Sequence, residues 1–359
     1  MTKKEKIEKF FSDNTPENYL TKIINCKDDD ACWCDSGRKY KDCHKKFKGK
    51  DIIPNRLDFL FSQLKKKKMC LHPDTTNCSG GIIDAHSIQN SRSLESISEN
   101  GLVYKFELSF KELDSWERYR TLDPKKIGKA NTSVFKGFCS YHDRELFKEI
   151  DTKEIIPTKE QSVLISIRSL AKEIYTKNAV LNNKEIVKEV QTSDDPHLLA
   201  ISQDIMKLSH EGNKLGIVDL GNEYITYFRY YNNKDYSRLN RLIIKINSVP
   251  EVLCSTCFAP EFDMYGNSLQ DLIKNDPLEY LTFDISVINN KGIIQLCWHD
   301  NNHYCKLFAD SIKNNTDIPN TIIKMIFGIS ENHAFRISWY DSLSVLKKKG
   351  LMNLMMSNM

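Results

Sequence analysis

Four residues near the N-terminus have the types and spacing to grip a metal ion: Cys32, Cys34, Cys43 and His44. They stand in the run Cys32-Trp-Cys34-Asp-Ser-Gly37-Arg-Lys-Tyr40-Lys-Asp-Cys43-His44. Two cysteines one residue apart can hold one face of an ion. A tight turn at Gly37 then returns the chain so that Cys43 and His44 complete a tetrahedron. Four thiolate and imidazole donors with none to spare describe a closed, structural zinc site. A second set is spread more widely, in the order Cys70, Cys78, His86, Asn131, Cys139, His142. Cys70 and Cys78 can form one half of another zinc site. Cys139 and His142, one turn apart on an expected helix, can form the other. A third grouping, Cys254, Cys257, Cys297, His299, His303 and Cys305, begins with a CxxC but lies on strand-like sequence without a knuckle glycine. Buried cysteines packed as small apolar groups suit it better than a third zinc. Glu331, Asn332, Trp339 and Asp341 can line a pocket, but core and rim suit Trp339 and Tyr340 better.

The first run resembles the SEC-C motif, C-x-C-x-S-G-x-x-Y-x-x-C-H, known from the tail of the SecA translocation ATPase and from many other bacterial proteins. The four ligands and Ser36-Gly37 are intact. Trp33 stands where Pro is usual, Asp35 where Gly is usual, and Lys45 where Gly often follows. The resemblance implies zinc binding and a small docking surface for a protein or ribosome-like partner. The second set resembles the HNH nucleases, whose ββα-metal fold often carries a structural zinc. That resemblance implies His86 as general base, with Asp84 and Asn131 as positioning or cation-site groups and Asp143 as a weaker candidate. It further implies Mg²⁺ or Mn²⁺ and a nucleic-acid substrate. A neutral histidine can deprotonate water near pH 7, and a hard divalent cation can neutralise charge on a scissile phosphate. This sequence departs at Ala85, where the family has Asp or His, and in the long stretch from about 90 to 131. His142, if consumed by zinc, leaves no last histidine. AHSIQ (85–89), FKGFCSYHDRELF (135–147), FAPEFDMYGNSLQDL (258–272) and ENHAFRISWYDSL (331–343) also resemble a widespread set of bacterial proteins of uncharacterised activity.

The elements that must position these residues follow from periodicity. Residues 2–12 read as a short helix. Leu57, Leu60, Phe61 and Leu64 fall at helical spacing behind Pro54, within a helix over 53–69. IIDAHSIQ reads as a strand or hairpin, and FCSYHDRELFKEI as a helix carrying Cys139 and His142. Residues 158–182 read as a long amphipathic helix with Val163, Leu164, Ile167, Leu170, Ala171 and Ile174 inward. A second helix covers 196–211. Strands follow in YITYFRYY, RLIIKINSV, VLCSTCFA, YLTFDISVI and GIIQLCWH, with NNKG at 289–292 as a turn. Helices close the chain at 303–314, 318–328 and 340–356. The expected class is α+β: a zinc knuckle with its N-terminal helix (1–50), a linker helix (51–69), a zinc-stapled treble-clef or ββα unit (70–157) and an α+β domain with an antiparallel sheet (158–359).

Composition narrows the function classes. The 359 residues are 40% hydrophobic and 28% charged, an ordinary globular balance. No apolar run approaches the roughly 18 residues of a membrane span, and MTKKEKIEKFF has no signal-peptide core, so a cytoplasmic protein is expected. Clustered cysteines beside histidines there are metal ligands rather than disulfides. Residues 1–69 carry 18 Lys and Arg against 11 Asp and Glu, or +7, which leaves −3 for the rest of a chain of net charge +4. The basic end, with Lys65 to Lys68, suits a polyanion such as nucleic acid or is a solvated helix face. Neither GxxxxGK[ST] nor GxGxxG occurs, which argues against P-loop and Rossmann chemistry. Defence against foreign nucleic acid fits the layout by analogy at fold level.

Overall fold

The computed structural model describes residues 17–153, 156–181, 184–272 and 276–357. The expected helix over 2–12 lies outside them. The chain folds into two compact units that interleave along the sequence. One comprises residues up to Leu64 with Ala179–Lys214, and the other comprises Lys65–Asn178 with Leu215–Met359.

The first unit is small and helical around a loop. Helices Glu17–Asn25 and Pro54–Leu64 flank the knuckle, and Lys184–Val190 and the start of Pro196–Asn233 return to it. Leu57 is the buried residue of its helix. Arg56 donates both guanidinium bonds to Glu189, and the Gly49 amide donates to the Thr192 carbonyl at 2.7 Å.

Among the described residues the second unit holds nine strands. β1 (Ile82–His86) pairs antiparallel with β4 (Val134–Cys139), with a bulge between Ile83 and Ala85. The other seven form one sheet in the order β3 (Lys125–Gly128), β2 (Leu102–Lys105), β9 (His333–Phe335), β6 (Val252–Phe258), β7 (Leu281–Ile288), β8 (Lys291–His299), β5 (Leu239–Ile246). Every neighbouring pair is antiparallel, so the α+β class holds. Asn289 and Asn290 both have positive φ, 48° and 60°, and join Ile288 to Lys291 as the two-residue hairpin loop that NNKG predicts.

Both faces of the sheet are covered. Leu281, Phe283 and Ile285 of β7 and Ile294, Leu296 and Trp298 of β8 share an apolar core with Phe308, Met325, Phe327 and Met355 of the C-terminal helices. On the other face, helix Lys159–Leu181 meets polar groups of the sheet. Ser162 donates to Gln295 at 3.1 Å, Ser166 bonds Thr282 at 2.7 Å, and Ser169 bonds Ser255 at 2.8 Å. Hydroxyls on one helix thus bond side chains of three successive strands, as most buried polar groups are bonded. The predicted inward residues of that helix, Val163 to Ile174, are all buried.

Three expectations need correction. YITYFRYY is not a strand, because helix Pro196–Asn233 continues through it. Leu220, Tyr224, Tyr227 and Phe228 are its buried face, and their spacing is helical, so β-propensity lost to packing. Cys139 is not on the helix that follows. It ends β4 and caps helix Ser140–Asp151, its sulfur accepting from the His142 amide. The last helix breaks into Ile337–Ser342 and Val345–Met356, where Leu343 adopts extended backbone and Ser344 caps the next start.

Candidate metal centres

The knuckle loop brings Cys32, Cys34, Cys43 and His44 together, their donor atoms all within 4.8 Å of one another. Cys32 Sγ lies 3.3 Å and Cys43 Sγ 3.5 Å from His44 Nδ1, and Cys34 Sγ lies 3.7 Å from Cys43 Sγ. The loop closes through the Cys32 amide donating to the Arg38 carbonyl at 2.8 Å, around Asp35 and Gly37 at φ 56° and 72°. Gly37 is therefore the turn the spacing requires. Asp35 occupies a left-handed position where the motif has glycine, and its carboxylate accepts from the Tyr19 hydroxyl at 3.0 Å. Trp33 has replaced the usual proline and is buried with its ring 4.2 Å from the His44 ring, so it shields the donors from water.

Support beneath the ligands fixes their protonation. His44 Nε2 donates to Gln191 Oε1 at 2.9 Å, and Gln191 Nε2 donates to Gln203 at 3.1 Å. An imidazole protonated at Nε2 keeps its Nδ1 lone pair for an ion. A hydrogen bond from Cys32 holds the Cys34 thiol well below its usual range, with His44 and Ser36 adding to the effect against burial. Sequence reasoning missed Gln191. Its position 147 residues from His44 leaves no local pattern to find.

Cys70, Cys78, Cys139 and His142 form the second group, again within 4.8 Å. Their sulfurs lie 3.4, 3.5 and 3.3 Å from His142 Nδ1. The Met69 and Leu71 amides donate to Lys136 and Gly137 carbonyls, which lays Cys70 beside β4. Gly80, at φ 73°, turns the chain after Cys78, and a Cβ there would meet Ser140 Oγ at 2.2 Å. Burial pulls the His142 imidazole below its ordinary value, and His72, stacked on it at 3.9 Å, works the same way. The Cys139 thiol is also held low: burial opposes this, but the His142 and Ser79 amides and the other two thiols outweigh it. Neutral imidazole and stabilised thiolate are the ligand forms zinc needs. Both Cys₃His groups can hold a zinc ion, and each offers four protein donors with no position left open.

The remaining predicted residues gather less closely. His86 ends β1, and its Nε2 donates to the Ala130 carbonyl at 3.1 Å. Asn131, the next residue, is exposed at the end of the turn Lys129–Asn131. Asp84 is exposed and pairs with Lys136 at 2.6 Å. Ala85 is buried in the core. Asp143 Oδ1 is buried without a hydrogen-bond partner. Arg168, missed from the sequence, is a buried charge on helix Lys159–Leu181. It donates to both Asp151 oxygens, at 2.9 and 2.6 Å, with its guanidinium 4.0 Å from the centre of the Phe147 ring. Burial lowers the His86 imidazole and raises the Asp143 carboxyl, and both feel the Arg168 and Asp151 charges.

Among the described residues, only the two Cys₃His groups bring three or more His, Cys, Asp or Glu donors together. Cys254, Cys257, Cys297 and Cys305 are buried on β6, β8 and helix His303–Lys313. Asn332 is core: its amide donates to Ser87 Oγ and the Ser255 carbonyl at 2.8 and 2.7 Å. Trp339 packs against the apolar core, and Glu331 is exposed.

The site and fold define an α+β protein with two zinc-competent Cys₃His groups. Residues 30–46 match the SEC-C motif. No curated protein and no solved structure matches the chain. Among the described residues no helix is long and apolar enough to cross a membrane.

Proposed function

We propose that this protein is a zinc-stapled, HNH-like nuclease in which His86 is the general base. The observation that carries the reading is the His86–Ala130 hydrogen bond at the end of β1, beside the second Cys₃His group. Donation through Nε2 leaves Nδ1 with its lone pair, and the lowered pKa keeps the ring neutral at pH 7. In phosphodiester hydrolysis Nδ1 would take a proton from the attacking water while the new P–O bond forms. The leaving ester oxygen would depart with a proton from solvent. Asn131, next to Ala130, would position substrate. Both zinc ions are structural in this reading, and the second would hold the strands and helix that present His86.

The residues around His86 do not make a cage for Mg²⁺ or Mn²⁺. Position 85 is Ala, Asp84 is tied to Lys136, and Asp143 offers one unpartnered oxygen. No step is therefore assigned to a protein-held cation. Exposed Lys66, Lys67 and Lys68 run into the segment beside β4, and Tyr175 donates to the Lys67 carbonyl at 2.9 Å, which supports a nucleic-acid partner. Defence against foreign nucleic acid is the cellular setting that such an activity suits.

The test is cleavage of single- and double-stranded DNA and RNA by zinc-loaded protein with added Mg²⁺ or Mn²⁺. His86→Ala should lower the rate by about 100-fold or more while both zinc ions are retained. Unchanged cleavage in that variant removes the assignment. The thin set of donors near His86 favours a second reading, a non-catalytic adaptor docking through the knuckle and the hairpin. Nucleic-acid or protein binding without cleavage under all these conditions would establish it.

A further inference from the structure

Arg168, Lys172 and Tyr175 fall at i, i+4 and i+7 of helix Lys159–Leu181 and so share one face of it. Arg168 and Tyr175 are buried, whereas Lys172 keeps part of its side chain in water. The Lys172 ammonium donates to the Val134 carbonyl at 2.9 Å and lies 5.5 Å from the centre of the Phe135 ring. Val134 stands opposite His86 in the β1–β4 pair. The ammonium is therefore one strand spacing, about 5 Å, and one hydrogen bond away from the His86 backbone.

Two more lysines come close from distant parts of the chain. Tyr175 donates to the Lys65 and Lys67 carbonyls and so fixes the start of the basic run. Lys105 ends β2 beside β9, and Asn332, just before β9, bonds Ser87, the neighbour of His86. Burial pulls the Lys172 ammonium down to about 7. The Lys105 and Lys65 charges pull the same way, each more strongly than Glu173 restores it. Burial lowers Lys105 as well; Glu107 and Glu331 oppose this and Lys65 adds to it. The acids beside these lysines are shared or wet. Glu107 also pairs with Lys125 at 3.6 Å, Glu173 pairs with Lys177 at 3.7 Å, and Glu331 is exposed.

We propose that Lys172, with Lys105 and Lys65, holds a backbone phosphate of a nucleic-acid strand, flanking the bond that His86 addresses. An ammonium carries three donors, and Lys172 gives one to Val134. A phosphodiester oxygen would take another and relieve the repulsion among the three cations. Exposed Lys66, Lys67 and Lys68 continue the site along the surface, which suits a row of phosphates rather than a single ion. The proposal rests on the nucleic-acid partner in the reading above and not on cleavage.

Fluorescence anisotropy of labelled DNA and RNA oligonucleotides tests it, with zinc-loaded full-length protein, no added Mg²⁺ or Mn²⁺, and salt from roughly 50 to 200 mM. The logarithm of affinity should fall linearly with the logarithm of salt concentration. Lys172→Gln should make that slope shallower by about 1, alike for every sequence, while Lys172→Arg keeps it. Lys105→Gln should act the same way from a different element, so a folding defect in one variant does not decide the matter; circular dichroism and zinc content check both. A wild-type protein that binds neither DNA nor RNA overturns the proposal, as does an unchanged slope in both glutamine variants. Strand binding that depends on Lys172 in a protein that cleaves nothing keeps this site and removes the nuclease reading. Cleavage that depends on His86, with a salt slope indifferent to Lys172 and Lys105, does the reverse.

Discussion

At the scale of single residues, the two metal groups differ in what stands behind the imidazole. His44 is held by Gln191, itself held by Gln203, whereas His142 is held by stacking on His72. Supporting hydrogen bonds orient a ligand and raise its basicity. Gln191→Ala should therefore weaken zinc retention at the knuckle by about 10- to 100-fold, read as release to a chromophoric chelator, with the second zinc unaffected. His86 gives a pH prediction. Its pKa is lowered, mainly by burial, so the base form is reached at lower pH than in an ordinary histidine. Cleavage should rise with pH through a value below 6.5 and then level off. A rise centred above that value would mean that a different group is the base.

At the scale of elements, the hydroxyl seam between helix Lys159–Leu181 and the sheet decides how the second unit is held. Removing one partner strands the other in a dry interface. Ser166→Ala should cost about 1–3 kcal/mol, while Ser166→Ala with Thr282→Val should cost less than the two changes summed. A urea double-mutant cycle measures the difference, and simple additivity would mean that water already reaches the seam. Asp284 lies in this layer, hydrogen-bonded by Ser286, and burial pushes its carboxyl up to about 7. The folded state thus holds a proton that the unfolded chain gives up near pH 4. That contribution is full at pH below 3.8 and is lost as pH rises towards 7. Asp284→Asn cannot ionise, so its stability relative to wild type should climb between pH 4 and 8, by at most about 4 kcal/mol. Urea midpoints at the two pH values test it; a relative stability independent of pH would place the carboxyl in water.

At the scale of the whole molecule, the zinc groups are independent and should be separable. Metal analysis should give two zinc ions per chain. Cys34→Ser should lose one and leave the second unit protease-resistant. Cys139→Ser should lose the other and open the β1–β4 hairpin to cleavage, because small units of this kind take folding energy from the metal. One zinc in the wild type would count against the second group.

The first metal group was legible because its four donors sit within thirteen consecutive positions, where spacing alone limits how the chain can turn. The second was legible in its residues but not in its geometry. Cys139 reads as helical from its neighbours, and only the pairing of β1 with β4 makes it a strand end and a cap. The long helix was half read: aromatic residues from Tyr224 to Tyr231 have strand propensity, but their spacing put one face into the core. Alternation along β7 and β8 is written in the sequence. That their polar face is buried is not, since it depends on serines more than a hundred residues away. Arg168 and Gln191 matter for the same reason. The sequence determined donor types, local turns and periodicity, because these follow from neighbours in the chain. The tertiary structure alone decided which distant polar groups meet and which nitrogen of His44 or His86 carries the proton, because partners from other elements settle those.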